Sequence, residues 1–300
     1  MVNQPLVYGK FITVMDNSED SLWRFEEALG PDMKCINLVL GDVRDRRTVE
    51  NFILEHSTVI HTAAYKHLRY ADENAMETVM TNVIGTKNII DALLLRNYPT
   101  DFVFVSTDKA CYPTNVYGES KKLGEMLTRY AAKKCGGKLF SVRMGNFIGS
   151  RGSVLDKWHE QTKKGSEAHP GGEIDLTDGN MNRFFIKPME VANFILDMLD
   201  KGAGKGQVYI PKMKAINMQR MANAYAYIRD CGIKVVGGLA SERMDEMVAN
   251  PEEMTRIQME DDYFVIKNET VNNYTDISLS TAILPLLSLE DTKEYIKDVI

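Results

Sequence analysis

The chain has 300 residues, a net charge of −6 and 44% hydrophobic residues, which suits one large α/β domain with a proper core and excludes a disordered chain. The negative charge argues against a nucleic-acid-binding surface and favours a cytoplasmic protein. The four cysteines lack paired spacing, the five histidines lack a zinc pattern and no apolar run has membrane length, so we expect reduced thiols, no metal and no membrane span.

Apolar runs alternate with helical patterns along the first half of the chain. The predicted strands are Phe11–Met15, Ile36–Leu40, Thr58–His61, Phe102–Val105 and Leu139–Val142, and the predicted helices are Leu22–Leu29, Arg46–Glu55, Glu73–Leu95 and Tyr117–Lys134. This alternation is typical of a doubly wound parallel sheet, so we predict a Rossmann-like α/β fold.

Beyond residue 152 the pattern becomes less regular. Predicted there are helices at Val154–Lys164, Pro188–Leu199 and Asn217–Asp230, and short strands at Glu173–Leu176 and Gln207–Ile210. We therefore expect a Rossmann-like nucleotide-binding domain over residues 1–152. Residues 153–300 should form mainly a small substrate-binding lobe and a C-terminal extension.

The strand, glycine-rich turn and helix that open a Rossmann domain are missing from this pattern. Met1–Lys10 contains a single glycine, Gly9. The first predicted strand corresponds to the second strand of a Rossmann domain. The missing strand would lie inside the sheet. Three explanations stay open: a fragment or late start site, which we favour, a sheet that closes directly across the gap, or a strand from another chain.

The candidate chemistry is concentrated just after the fourth predicted strand. Thr107, Asp108 and Lys109 follow that strand, at the edge of an open α/β sheet where ligands bind. Tyr117 and Lys121 are four residues apart at the start of a helical pattern, so they share a helix face. Because a lysine ammonium favours a nearby phenolate, Tyr117 is a candidate general base.

Several motifs in this order resemble the extended short-chain dehydrogenases/reductases. They are similar, more narrowly, to the soluble, inverting UDP-N-acetylglucosamine 4,6-dehydratases of polysaccharide biosynthesis. The matching stretches are Gly41–Asp45, His61–His67, Thr81–Thr86, Thr107–Lys121, Arg143–Val154 and Met181–Phe185. Larger membrane-anchored relatives usually have methionine at the position of Tyr117.

The resemblance implies oxidation, loss of water and reduction within one nucleotide sugar, with NAD or NADP as the cofactor. Tyr117, assisted by Lys121 and Thr107, would take the proton of the 4-hydroxyl. Lys109 would remove the proton at carbon 5 if burial and the nicotinamide charge lower its pKa, and Asp108 would protonate the departing 6-hydroxyl. The alternative for Asp108 and Lys109 is a solvated loop ion pair.

The resemblance also implies residues that bind the cofactor and the substrate. The cofactor set comprises Asp16, Asn17, Ser18, Asp42, Val43, Ala63, Ala64, Asn82 and Phe147 with Tyr117 and Lys121, and the substrate set comprises Lys66, Asn146, Ser150, Arg151, Gly152, Ser153, Val154, Arg183 and Glu242. Asp16 at a strand end favours NAD over NADP because it can accept both adenosine ribose hydroxyls. Its other interpretation is a helix cap.

One segment departs from the family pattern. Where relatives usually have Arg-Pro-Gly-Glu-Lys, this chain has Leu239-Ala240-Ser241-Glu242-Arg243, so the phosphate-binding arginine is absent unless Arg243 replaces it. Two other functions stay open: a nucleotide-sugar 4-epimerase, and an inactive truncated relative that serves as a binding subunit.

The remaining expectations concern ligands and partners. We expect a UDP-linked substrate, a homo-oligomer, and neither nucleic acid nor membrane as a partner. We also expect this chain alone to bind NAD(P) weakly, because the glycine-rich turn would supply several charge-assisted hydrogen bonds to the pyrophosphate.

Overall fold

The central sheet has six strands in the order β12-β13-β9-β5-β4-β3. The computed structural model describes residues 11–30, 35–163, 171–238, 242–270 and 279–300. The six strands are β3 (Thr58–His61), β4 (Asp101–Thr107), β5 (Leu139–Met144), β9 (Val208–Pro211), β12 (Ile257–Met259) and β13 (Tyr263–Ile266). The first four are parallel and the last two add an antiparallel edge, which confirms the predicted α/β class.

Two further strands form a separate parallel pair. They are β1 (Ile12–Asp16) and β2 (Ile36–Leu40), and among the described strands β1 pairs with β2 alone. β1 and β3 correspond to the second and fourth strands of a Rossmann domain. Among the described residues these two strands do not pair, so the sheet does not close directly across the gap. The segment Met1–Lys10 lies outside the described residues.

Helices cover both faces of the central sheet. On the face of Phe102 and Phe104, the core includes residues of α2 (Arg46–Leu54) and α5 (Gly85–Leu94). On the face of Val103 and Val105, it includes residues of α8 (Pro188–Asp200). Because successive side chains of a strand point to opposite faces, the apolar run in β4 serves both cores.

The predicted helix Glu73–Leu95 is in fact three consecutive segments, and a further helix ends at Glu73. The three segments are α4 (Ala75–Val79), a π-helical turn (Met80–Ile84) and α5, and the helix that ends at Glu73 is α3 (Leu68–Glu73). The π turn carries Asn82, whose side-chain oxygen accepts a 2.7 Å hydrogen bond from the Tyr65 backbone N–H. Such turns are often found at functional sites, and this one directs a polar side chain toward the loop after β3.

The other helices of the first half are α1 (Glu19–Leu29) and α6 (Val116–Ala132). The second half adds β6 (Asn146–Phe147), α7 (Val154–Thr162), β7 (Glu173–Leu176), β8 (Asn182–Ile186), β10 (Lys214–Asn217), α9 (Met218–Arg229), β11 (Gly232–Val235), α10 (Pro251–Met254) and α11 (Leu289–Lys297). Its small sheets have the orders β10-β8-β6 and β11-β7. The predicted end of α7 at Lys164 lies outside the described residues.

The second half builds a core of its own around Trp158 and Tyr225, whose ring centroids are 5.4 Å apart. It also supplies β9, β12 and β13 to the central sheet. The domain boundary near residue 152 stays a prediction. Within the described ranges, no helix combines the length and the apolarity needed to cross a membrane.

Candidate active site

The end of β4 places three polar side chains at the carboxyl edge of the sheet. Thr107 is the last residue of β4, and Asp108–Ala110 form a 3-10 turn after it. The Thr107 hydroxyl donates to Asp108 Oδ1 over 2.9 Å, and Lys109 Nζ donates to the same oxygen over 3.1 Å. Asp108 is 1% exposed, and its Oδ2 atom has no hydrogen-bond partner among the described residues. This carboxylate is therefore buried with one of its two oxygens unpaired among the described residues.

Helix α6 brings Tyr117 to this turn. Gly118 permits the close approach, because a Cβ atom there would lie 2.5 Å from the Lys109 carbonyl oxygen. The Tyr117 side chain hydrogen-bonds to that of Thr107. Burial raises the pKa of Tyr117, and the Lys109 ammonium and the Thr107 hydrogen bond oppose that rise without cancelling it. The phenol is therefore protonated near neutral pH, and Lys109 is the cation that favours its ionisation.

Lys121 lies one turn further along α6 and is 3% exposed. Its ammonium is 4.4 Å from the centre of the Phe104 ring. Burial lowers the pKa of Lys121 to about 8, although the nearby Glu125 carboxylate opposes this. Cation–π contact with one ring does not satisfy three N–H donors, so the ammonium can still bind a ligand.

Asn82 is hydrogen-bonded to helix α6 through the side chain of Ser120. Asn82 Nδ2 donates to Ser120 Oγ over 2.9 Å, and Ser120 Oγ donates to the Tyr117 carbonyl over 2.7 Å. The other hydrogen bonds of the Asn82 side chain are made to the backbone N–H and carbonyl of Tyr65. Asn82 therefore connects the loop after β3 to the first turn of α6.

Lys109 has a second carboxylate neighbour that the sequence did not reveal. Its Nζ atom is 3.5 Å from Glu246 Oε1, and that oxygen is 3.8 Å from Arg183 Nε. Burial favours the neutral amine, but the carboxylates of Asp108 and Glu246 outweigh it and raise the pKa of Lys109. This is opposite to the lowered pKa that a general base requires. No local spacing could have linked Glu246 to Lys109, because their contact is made by the fold alone.

The predicted substrate residues of the first half lie beside the loop after β6. Lys66 Nζ donates to the Arg151 carbonyl over 3.0 Å, which joins the loop after β3 to this segment. Gly152 N–H donates to Asp156 over 2.6 Å, and Ser153 caps α7. Ser150 Oγ donates to the Phe147 carbonyl, and Val154 packs against the core of the second half. Several polar groups of this loop thus already have partners within the chain.

Arg183 is 7% exposed, so it is not a surface arginine. Its guanidinium donates to the carbonyls of Asn182 and Met244 over 2.9 and 3.1 Å. Asn146 Nδ2 donates to the Phe184 carbonyl, which fixes the loop beside β8. Glu242 is partly buried.

Arg243 lies close to the catalytic turn, and its guanidinium carbon is 4.8 Å from the centre of the Tyr112 ring. The role of Arg243 as a replacement phosphate ligand stays a prediction. Residues Leu239–Ser241 of the same segment lie outside the described residues.

The predicted adenosine-binding residues lie at the ends of β1 and β2. Asp16 Oδ1 accepts a 2.8 Å bond from the Ser18 backbone N–H, so it does serve the start of α1. Asn17 hydrogen-bonds to Asp42, which also accepts three bonds from Arg44, one from the backbone N–H and two from the guanidinium. Asp16 and Asp42 are therefore brought to one edge of the β1-β2 pair.

The other predicted cofactor residues are apolar. Val43 is buried against Gly85, while Ala63 and Ala64 are partly buried after β3. Phe147 packs against the core on the α8 face of the sheet. Small side chains at positions 63 and 64 leave the backbone open to close approach by a ligand.

This fold, with threonine, tyrosine and lysine at the end of β4 and the start of α6, defines a Rossmann-type protein of the short-chain dehydrogenase/reductase class. Residues 6–268 match the model of the family described as polysaccharide biosynthesis protein. The chain belongs to that family.

Three curated relatives have similar sequences. An uncharacterized membrane protein of Methanocaldococcus jannaschii is 33% identical, over 97% of this chain and 88% of its own length. A UDP-N-acetylglucosamine 4,6-dehydratase (inverting) of Campylobacter jejuni is 32% identical, over 88% of this chain and 78% of its own length. A UDP-glucose 4-epimerase of Rickettsia massiliae is 31% identical, over 79% of this chain and 67% of its own length.

Two solved structures have similar folds. The X-ray structure of Pen from Bacillus thuringiensis has a TM-score of 0.88 and 26% identity, and covers 96% of this chain and 89% of its own. The dTDP-glucose 4,6-dehydratase DesIV of Streptomyces venezuelae, solved with NAD bound, has a TM-score of 0.71 at 18% identity, and covers 80% of this chain and 79% of its own. At that identity, the second likeness concerns the fold alone.

Proposed function

We propose that this chain modifies a nucleotide sugar, and that its reaction is the 4,6-dehydration of UDP-N-acetylglucosamine. The product would be a UDP-4-keto-6-deoxy-hexosamine. The 32% identity to the Campylobacter jejuni dehydratase supports this choice of reaction and substrate. The observation that carries the proposal is the buried acid and amine between Thr107 and Tyr117.

Elimination of water needs a base for the proton at carbon 5 and an acid for the departing 6-hydroxyl. Lys109 and Asp108 form an ion pair in which Nζ is 3.1 Å from Oδ1. Transfer of one proton from Lys109 to Asp108 turns this pair into an amine and a carboxylic acid. The amine then takes the carbon-5 proton, and the acid gives its proton to the leaving hydroxyl. At the end Lys109 is again an ammonium and Asp108 again a carboxylate, so the elimination needs no net proton from water.

Tyr117 and Thr107 would serve the oxidation at carbon 4. Tyr117, which contacts Thr107, would first release its own proton to solvent, and the resulting phenolate would then take the proton of the sugar 4-hydroxyl. Since burial raises its pKa, Tyr117 needs cationic support, which the Lys109 charge supplies and to which Lys121, one turn further along α6, would add. The protonated form of Lys121 predominates below about pH 8, where that support is greatest.

A nicotinamide cofactor would accept the hydride from carbon 4 and return it to carbon 6. The residues near the catalytic turn fit such a group, because the Lys121 ammonium has donors to spare and Ala63 and Ala64 permit close approach. Asp16 and Asp42 would hold the adenosine end. We propose NAD rather than NADP because a carboxylate at Asp16 would repel a 2′-phosphate.

The second candidate is a nucleotide-sugar 4-epimerase. The 31% identity to the Rickettsia massiliae UDP-glucose 4-epimerase favours it, and so does the set of Thr107, Tyr117 and Lys121, which both reactions use. An epimerase needs neither an acid nor an amine at positions 108 and 109. The two reactions therefore differ in what Asp108 and Lys109 do.

Incubation with UDP-N-acetylglucosamine and NAD⁺, followed by mass spectrometry, distinguishes the two functions. Dehydration gives a nucleotide sugar lighter by one water, whereas epimerisation leaves the mass unchanged and is detected by NMR. Tyr117→Phe should abolish either reaction, and Tyr227→Phe, at an exposed position, should not. An unchanged mass with a new 4-epimer would overturn the dehydratase proposal in favour of the second candidate.

A further inference from the structure

Four side chains of alternating charge form a row that begins in the 3-10 turn Asp108–Ala110. Asp108 contacts Lys109, Lys109 contacts Glu246, and Glu246 contacts Arg183, with separations of 3.1, 3.5 and 3.8 Å. The side chains of Lys109, Glu246 and Arg183 are 15%, 6% and 9% exposed, so water screens these pairs weakly. A carboxylate placed this close to the reacting amine must influence its protonation.

The backbone holds Glu246 firmly at this place. Its N–H donates to Thr281 Oγ1 over 2.9 Å, and the Thr281 N–H donates back to the Glu246 carbonyl over 2.9 Å. A further bridge joins Met247 to Ser280. Glu246 is therefore positioned from its own backbone, independently of its side-chain partners.

We propose that Glu246 is a positioning residue that holds the Lys109 ammonium against Asp108 and controls when Lys109 gives up its proton. The catalytic consequence rests on the proposed dehydratase function, whereas the electrostatic control of Lys109 does not. Glu246 itself touches no reacting atom in this assignment.

The charges around Lys109 give the direction of the effect. Asp108 and Glu246 favour the ammonium, while Arg183 and burial favour the neutral amine. Tyr117 is protonated and adds no charge. Burial raises the pKa of Glu246, and the nearby charges of Lys109, Arg183 and Arg243 oppose that rise without cancelling it. Neutralising Glu246 therefore removes one of the two carboxylates that raise the pKa of Lys109. Transfer of the ammonium proton from Lys109 to Asp108 then costs less free energy.

The direct test measures the reactivity of Lys109 without substrate or cofactor. Wild type and Glu246→Gln are acetylated briefly at pH 9 with acetic anhydride, and each lysine is quantified by peptide mass spectrometry relative to the exposed Lys133. Since removing an opposite charge within about 4–6 Å shifts a pKa by about one unit or more, Lys109 of the variant should react about tenfold faster. Glu252→Gln, at an exposed position of α10, should leave Lys109 unchanged.

The second arm measures activity as a function of pH. If the wild type makes the dehydrated product, kcat of Glu246→Gln should be up to about tenfold higher over the pH range in which the Lys109–Asp108 pair keeps its one proton, because transfer of that proton from Lys109 to Asp108 becomes easier. If the wild type makes no such product, the proposed function fails, and the labelling experiment still decides the role of Glu246.

Equal labelling of Lys109 in the folded wild type and Glu246→Gln would overturn the inference. Circular dichroism establishes that the variant is folded. Should it not fold, Glu246→Asp keeps the charge but moves it one methylene away from Lys109. Labelling faster than wild type would then support the proposal, and labelling at the wild-type rate would refute it.

Discussion

Asp108 has one carboxylate oxygen bound to Thr107 and Lys109, while its Oδ2 has no partner among the described residues. An unsatisfied buried polar atom is costly unless a ligand or a water molecule satisfies it. In the proposed reaction this oxygen faces the leaving 6-hydroxyl. Asp108 and Lys109 would then act at separate moments of one elimination.

We predict that Asp108→Asn and Lys109→Met fail at different steps. In deuterated water, Asp108→Asn should still exchange the hydrogen at carbon 5, because loss of the Asp108 carboxylate lowers the pKa of Lys109 and lets it lose its proton to solvent, while water loss falls by about 10²–10⁴-fold. Lys109→Met should lose both exchange and water loss. Mass spectrometry of recovered substrate measures the exchange, with Asp261→Asn, at an exposed position, as the control. Loss of exchange in Asp108→Asn would contradict this division of roles.

At the scale of elements, contact between α6 and β4 fixes the positions of Tyr117 and Lys121 relative to Thr107. Gly124 lies where α6 crosses Phe104, and a Cβ atom there would be 2.1 Å from the ring atom Cζ. The ring is fully buried and also carries the Lys121 ammonium on its face. The sequence therefore needs glycine here for close packing rather than for backbone freedom.

We expect Gly124→Ala to lower the free energy of unfolding by about 1–3 kcal/mol, because a buried helix must move away from its strand. Urea unfolding measures this, and the proposed activity should fall with it since α6 carries Tyr117 and Lys121. Gly136→Ala is the matched control, because the nearest atom to its Cβ would be 3.5 Å away. A loss no greater than that of the control would show that Phe104 can yield.

At the scale of the whole molecule, one buried arginine joins the two halves. Arg143 in β5 is fully buried and makes two hydrogen bonds to Glu125 of α6, at 2.9 and 2.7 Å. It makes two more to Glu253 of α10, at 2.7 and 2.9 Å, and another to the Val248 carbonyl. Burial opposes its charge, yet the two carboxylates raise the pKa of Arg143 well above its usual value.

Removal of one member of such a network leaves buried charges without partners. Arg143→Met should therefore lower the free energy of unfolding by about 3–5 kcal/mol. Arg69→Met, which breaks an exposed pair with Glu73, should cost under about 1 kcal/mol. Chemical denaturation of both variants at one pH provides the comparison, and similar losses would mean that the network contributes little beyond a surface pair.

The stability of the whole chain should also depend on pH because of His61. This side chain in β3 is 3% exposed and lies 3.0 Å from Thr86 Oγ1. Burial, with a smaller contribution from the Lys121 charge, lowers the pKa of His61 to about 3 from the ordinary 6.5. Between these values the unfolded chain binds a proton that the folded chain does not, so stability falls as the pH decreases from about 6.5 toward 3.

Between pH 6.5 and 5.0 this effect should remove about 2 kcal/mol of stability, at about 1.4 kcal/mol per pH unit. Urea unfolding of the wild type and His61→Gln at several pH values measures it. The variant should lose some stability at neutral pH but should lack this part of the pH dependence. Parallel curves for the two proteins would assign the dependence to other groups.

The sequence by itself predicted the strands of the first half and the chemistry after β4. Ile36–Leu40 and Thr58–His61 have their predicted bounds, and Phe102–Val105 lies within the observed β4. These strands are apolar runs bounded by turn residues, a signal that depends only on neighbours in the chain. Thr107, Asp108 and Lys109 directly follow the apolar run of β4, and the structure places Tyr117 beside Thr107, while their catalytic roles stay predictions.

Tertiary structure alone decided what is distant in sequence. The antiparallel edge of β12 and β13, the π turn at Asn82 and the contact of Glu246 with Lys109 have no local signal. The charge of Lys109 illustrates the reason. Its pKa depends on a carboxylate brought from a remote segment and on burial by both halves, and neither quantity exists until the chain has folded.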